Sequence, residues 1–170
     1  SLEAEHICEN YVEQQKLEEM GIGARIQPIC LSTPYPELSY KWTKDTHVYL
    51  TYRKGSEKEY GITLIEELAP RCPGIKFHLY GGSIPEETFN KEIKNYHACI
   101  RLNEHDGFGD ALAKAALMGQ WPISVIQYPH ITYAPDSKSL VASLQDLKNK
   151  KEPNYPGRAY WLKELSRDLI

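Results

Sequence analysis

His47-Val48-Tyr49-Leu50-Thr51-Tyr52, Gly61 to Ala69, and Ile75-Lys76-Phe77-His78-Leu79-Tyr80 decide the fold. The first run is β-branched and aromatic and has the length of a strand. The second places Ile62, Ile65, Leu68 and Ala69 on one side of a helix. The third is another strand, closed by Gly81-Gly82. The alternation continues downstream. Pro85 to Asn95 reads as a helix opened by a proline, Ala98 to Leu102 as a strand, and Gly109 to Met118 as a helix ended by Gly119. Pro122 to Ile126 reads as a strand, Asp136 to Lys150 as an amphipathic helix, and Tyr160 to Ile170 as a closing helix. Strands alternating with helices of this length predict an α/β fold with a Rossmann-like, doubly wound parallel sheet covered on both faces.

Upstream, Glu5 to Met20 reads as a helix stopped by Gly21 and Gly23, and Ala24 to Ile29 as a short strand. Residues 31–46 carry Pro34 and Pro36 without any period and read as a connecting segment.

The chain has 170 residues, 41% of them apolar and 25% charged, with a formal charge of -3. A pI near 6.1 offers no general basic face for nucleic acid. No apolar run reaches the roughly 18 residues of a membrane span, and the acidic opening segment does not read as a signal peptide. Cys8, Cys30, Cys72 and Cys99 are widely separated among apolar neighbours, which predicts buried thiols rather than a metal knuckle or redox pair. The six histidines are equally scattered, so no metal is expected.

Ligands of such sheets bind beyond the carboxyl ends of the strands. The loops to read are therefore 52–60, 80–85, 102–109 and 126–135. Asn103-Glu104-His105-Asp106-Gly107-Phe108-Gly109 combines glycines that admit a close ligand with the start of a helix, which suits a phosphate. The plain reading is a tight turn capped by Asp106. In the loop after Tyr52, Arg53 and Lys58 could clamp a diphosphate, one as a fork and one as a point charge. Glu57 and Glu59 also fit an ordinary solvated loop. Gly81-Gly82 is either a simple turn or a space for a base or sugar.

Taken in order, these motifs resemble the C-terminal, donor-binding domain of a GT-B-fold retaining glycosyltransferase of the large group 1 family, related to glycogen synthase and the lipopolysaccharide mannosyltransferases. Arg53 and Lys58 match that family's strand-end pair. Asp106-Gly107-Phe108-Gly109, followed by Lys114-Ala115-Ala116-Leu117-Met118-Gly119 and Pro122-Ile123, is similar to its acidic glycine loop, helix and following strand. Met20 to Pro28 is similar to the end of the family's N-terminal domain. Two departures stand out. The family's paired glutamates are Asp106 and Lys114 here, and the stretch from Gly82 to Ala98 is short for an extra strand.

The resemblance implies one half of a GT-B fold. Residues 1–45 are then the remnant of a preceding domain with its linker, and 46–170 the nucleotide-sugar-binding domain. It implies transfer of a sugar, with retained configuration, from a nucleotide-diphosphate sugar to a glycan or lipid-linked acceptor. No cofactor beyond that co-substrate is expected. Arg53, Lys58 and Asp106 take the catalytic roles. Gly81, Gly82, His105, Gly107, Phe108, Gly109 and Lys114 take the donor contacts, although a loop histidine such as His105 is more often just solvated. The acceptor side would come from an N-terminal domain of the same longer chain or from a partner chain. The implied setting is the cytoplasm, peripheral at most to the inner face of a membrane. Lys148, Lys150 and Lys151 complement a helix dipole and could brush such a surface. Lys114 and the shortened segment keep a second reading open, a degenerate binding module without catalysis. A sugar-nucleotide epimerase is a third. A receiver-like regulatory domain would want acidic residues where Arg53 and Lys54 sit. Trp42, Trp121 and Trp161 are expected to be packing residues.

Overall fold

A computed structural model describes residues 6–8, 10–26, 35–104 and 109–166. The first described unit is β1 (His6–Cys8), α1 (Tyr11–Glu19) and β2 (Ala24–Ile26), with the two strands parallel and His6 opposite Ala24. The helix expected from residue 5 thus begins later, after a strand. Asn10 sets the start: its side-chain oxygen accepts the Glu13 N–H at 3.0 Å.

The second unit follows the predicted alternation. It runs β3 (Thr46–Tyr52), α2 (Ile62–Leu68), β4 (Ile75–Gly81), α3 (Glu86–Ile93), β5 (Ala98–Arg101), α4 (Asp110–Leu117), β6 (Ile123–Ser124), β7 (Thr132–Tyr133), α5 (Ser137–Leu147) and α6 (Tyr155–Ser166). The five strands form one parallel sheet in the order β4-β3-β5-β6-β7. Fold class is therefore as expected, a Rossmann-like α/β sheet.

Alternation along the strands divides the core into two layers. Val48, Leu50, Ala98, Ile100 and Ile123 face α2 and α5, where Ile62, Ile65, Leu140 and Leu144 bury against them. Tyr49 and Cys99 face α3, α4 and α6, meeting Phe89, Ile93, Leu117 and Trp161. Cys8, Cys72 and Cys99 are buried free thiols, as the sequence suggests; Cys30 lies outside the described residues.

Three further departures from expectation lie in the second unit. The closing helix starts at Tyr155, not Tyr160, because Asn154 Oδ1 accepts the Gly157 N–H at 3.1 Å. Pro156 sits in the first turn, where a missing N–H costs nothing. The strand at 122–126 shortens to two residues because Ile126 N–H turns back to Ser124 Oγ at 3.0 Å. Finally, β7 pairs over two residues only, too short to leave a periodic trace.

Candidate functional site

The sheet order fixes where a cleft can form. The chain leaves β3 for β4 on one side, then returns past β3 to β5 on the other. The loops after β3 and β5 therefore part company at their carboxyl ends, leaving a crevice. A cavity of about 850 Å³ lies there, lined by Gly55, Ser56, Lys58, Thr63, Leu102 and Glu104 among others.

Local chemistry builds this crevice. Gly61, at φ 78°, turns the loop into α2. A Cβ at this position would stand 2.6 Å from Leu102 Cδ1, so the missing side chain is what lets the β5 exit pack on the β3 loop. Glu57 accepts the Gly55 N–H at 3.1 Å, and that backbone contact holds its carboxyl below the usual range. Arg101, half-buried at the end of β5, donates to Thr51 Oγ1 at 3.0 Å and lies 5.7 Å from the Tyr60 ring centroid. The cavity wall thus joins one amine, Lys58, to the carboxylates Glu57, Glu59 and Glu104. Such a mixture suits a ligand with both an anionic end and hydroxyl groups: amines bind the first, and carboxylates accept from the second.

The expected site residues fall into four groups. Arg53 and Lys58 are both exposed on the loop leaving β3, with Lys58 in the cavity wall and Arg53 at its strand end. Gly109 opens α4, and its carbonyl accepts the Leu112 N–H at 3.1 Å. His105, Asp106, Gly107 and Phe108 lie outside the described residues.

Gly81, Gly82 and Lys114 are placed differently. The Tyr52 ring occupies the space beside Gly81, and the Lys54 side chain lies over Gly82 at 3.1 Å from a Cβ position. Each glycine accommodates this chain's own side chains. Lys114 turns toward α3, where its Nζ pairs with Glu86 Oε1 at 3.0 Å and lies 5.9 Å from the Phe89 ring centroid. It lines a separate groove of about 510 Å³ with Tyr35, Glu37 and Asn90.

The sequence alone singles out neither Arg101 nor Glu104. Arg101 sits inside a strand run, where alternation alone does not show that it bends over Tyr60. Glu104 lay within a quoted loop, and only the cavity singles it out. Among the described residues, no group of three or more His, Cys, Asp or Glu is placed to hold a metal.

No protein-family model matches the chain, and no curated protein matches it by sequence. Solved structures do. The lipopolysaccharide outer core galactosyltransferase WaaB, in its apo form, aligns with TM-score 0.62 at 15% identity, over 94% of this chain and 57% of its own. A variant of S. aureus TarM in complex with fondaparinux, alpha-GlcNAc-glycerol and UDP aligns with TM-score 0.60 at 10% identity, over 94% and 39%. The GtfA/B complex aligns at 0.50 and 12% identity, over 95% and 44%. At these identities the likeness establishes the fold alone, a GT-B-like, Rossmann-like α/β unit. This chain spans between about two fifths and three fifths of the length of each of these proteins.

Proposed function

We infer that the chain is the donor-binding part of a glycosyltransferase that takes its sugar from a nucleoside-diphosphate sugar. The observation that carries this reading is the cavity at the divergence of β3 and β5, with Lys58 in one wall and Glu104 in the other. Support comes from the fold shared with WaaB and with UDP-bound TarM.

In this reading the bond between the sugar's anomeric carbon and the diphosphate breaks, and a bond from that carbon to an acceptor oxygen forms. The acceptor's proton leaves with the diphosphate, and configuration is retained. Charge grows on the leaving group, so cations that bind it more tightly in the transition state lower the barrier. Arg53 and Lys58 take that role. Asp106 and Glu104 accept from sugar hydroxyls. His105, Gly107, Phe108 and Gly109 border the donor. A glycan or lipid-linked acceptor approaches from an N-terminal domain or a partner chain; the GtfA/B complex, a two-component relative by its name, is consistent with that.

A thermal-shift panel with UDP, GDP, ADP, CMP and their sugar conjugates tests this. Saturation at 100 times the dissociation constant stabilises by about 2.7 kcal/mol. A shift with one nucleotide series, lost in both Arg53→Ala and Lys58→Ala, is expected. An equal shift in wild type and both variants would sink the assignment.

One observation favours a second reading, a module that binds without catalysis. Lys114 is held by Glu86, and Tyr52 and Lys54 fill the space at Gly81 and Gly82. Absence of any nucleotide shift, together with binding of a free glycan, would select it.

A further inference from the structure

The end of the sheet opposite the cleft carries a second feature. Trp42, just before β3, and Trp121, just before β6, stand beside the turn that follows α5. The Trp42 indole N–H donates to Lys148 O and the Trp121 indole N–H to Glu152 O, each at 3.0 Å. Tyr40 donates its hydroxyl to Lys150 O at 2.5 Å. Three aromatic donors therefore clamp one lysine-rich turn. The lysines lie over the same rings: Lys150 Nζ is 4.5 Å from the Trp121 centroid and Lys151 Nζ 5.4 Å from that of Trp42.

Charge is segregated here. Lys41, Lys44 and Lys76 join the three lysines of the turn, against Asp45, Asp146 and Glu152, in a chain whose formal charge is -3. Asp45 is held by Lys76 at 3.2 Å and Asp146 by Lys150 at 3.1 Å, and Lys148 Nζ donates to Pro73 O, so the amines offered outward are those of the exposed Lys41, Lys44 and Lys151. Trp42 is nevertheless 40% exposed. Since the Trp42 N–H is turned inward, the exposed part of the ring is hydrocarbon.

We propose that this Trp42–Lys151 face docks on the surface of a bilayer carrying anionic lipids. Amines reach the headgroup phosphates while the ring edge sits at the boundary with the acyl chains, a division of labour that indole and lysine favour at membrane interfaces. A soluble polyanion would use the amines but leave the exposed ring in water. No helix among the described residues is long and apolar enough to cross a membrane, so the contact is superficial. It leaves the cleft at the far end of the sheet facing away from the surface. The proposal stands apart from the glycosyltransferase reading.

Co-sedimentation of the purified chain with vesicles tests it, using phosphatidylcholine alone or with roughly one-third phosphatidylglycerol. Expected are partition into the anionic vesicles only, weakening with salt, and a blue shift of tryptophan emission. Lys41→Ser with Lys151→Ser should lower partition about 25-fold, at about fivefold per lysine. Trp42→Ser should remove most of the blue shift, with far-UV circular dichroism unchanged in both variants. Equal partition into both vesicle types, or full partition by the lysine variant, overturns the proposal. So does equally tight binding to soluble dextran sulfate without an emission shift, which would assign the patch to a general polyanion.

Discussion

At the scale of single residues, glycines mark where backbone and neighbour leave no choice. Gly61 and Gly55 both have positive φ, at 78° and 89°, but only Gly61 has a neighbour in the way, Leu102. Gly55→Ala should therefore cost about 1 kcal/mol, the backbone penalty alone. Gly61→Ala should cost about 2 to 4 kcal/mol, since overlap with Leu102 is added. Urea titration separates the two, and Leu102→Ala should recover part of the second loss. Buried His97 gives a pH signature. Its Nδ1 accepts the His47 N–H at 2.9 Å, and burial holds its pKa below the ordinary histidine value. His78 shifts the same way, again chiefly through burial. The unfolded chain takes up these protons near pH 6.5 while the folded chain resists, so stability is full above that pH and falls as pH drops below it. The slope should approach 1.4 kcal/mol per pH unit for each such group, and His97→Gln should flatten it. Such details are only half legible in a sequence. Arg53 and Lys58 could be named from a loop, but the Glu86 partner of Lys114 lies 28 residues away in sequence and shows only when α3 meets α4.

At the scale of elements, periodicity locates the middle of each helix and capping groups decide its ends. Asp136 opens α5 through a reciprocal pair with Ser139, whose N–H donates to Asp136 Oδ1 at 2.8 Å. That start was readable because the cap precedes a clear apolar stripe. The start of α6 was not. Tyr155, Pro156 and Gly157 look like a turn, and the cap that overrides them is Asn154, buried and also donating to Gln120 O at 3.4 Å. Asp136→Ala should cost about 1 kcal/mol. Asn154→Ala should cost about 2 kcal/mol, because the Gly157 N–H then loses its partner inside the fold. Thermal unfolding of the two variants should rank them in that order. Equal midpoints would mean that α6 is held by Trp161 and Leu165 in the core rather than by its cap.

At the scale of the molecule, two units of very different support share one chain. The five-stranded sheet buries both faces under helices. The β1–β2 pair is two strands of three residues each, and a two-stranded sheet is marginal in water. Its neighbours are exposed where a core would bury them: Ile7 is 50% exposed, Met20 73% and Ile26 41%. A domain or chain that adds strands beside β1 or β2 and covers these side chains would complete the unit. Local stability follows from burial. Amide exchange by mass spectrometry should therefore show His6 to Ile26 exchanging orders of magnitude faster than Val48–Leu50 and Ala98–Ile100. Removal of residues 1–34 should leave the cooperative unfolding of the five-stranded sheet intact, with its midpoint lowered by only a few degrees. If the truncated chain instead loses cooperativity, the βαβ unit belongs to the same folding unit as the sheet. The covering partner would then have to be sought at the cleft rather than at β1 and β2.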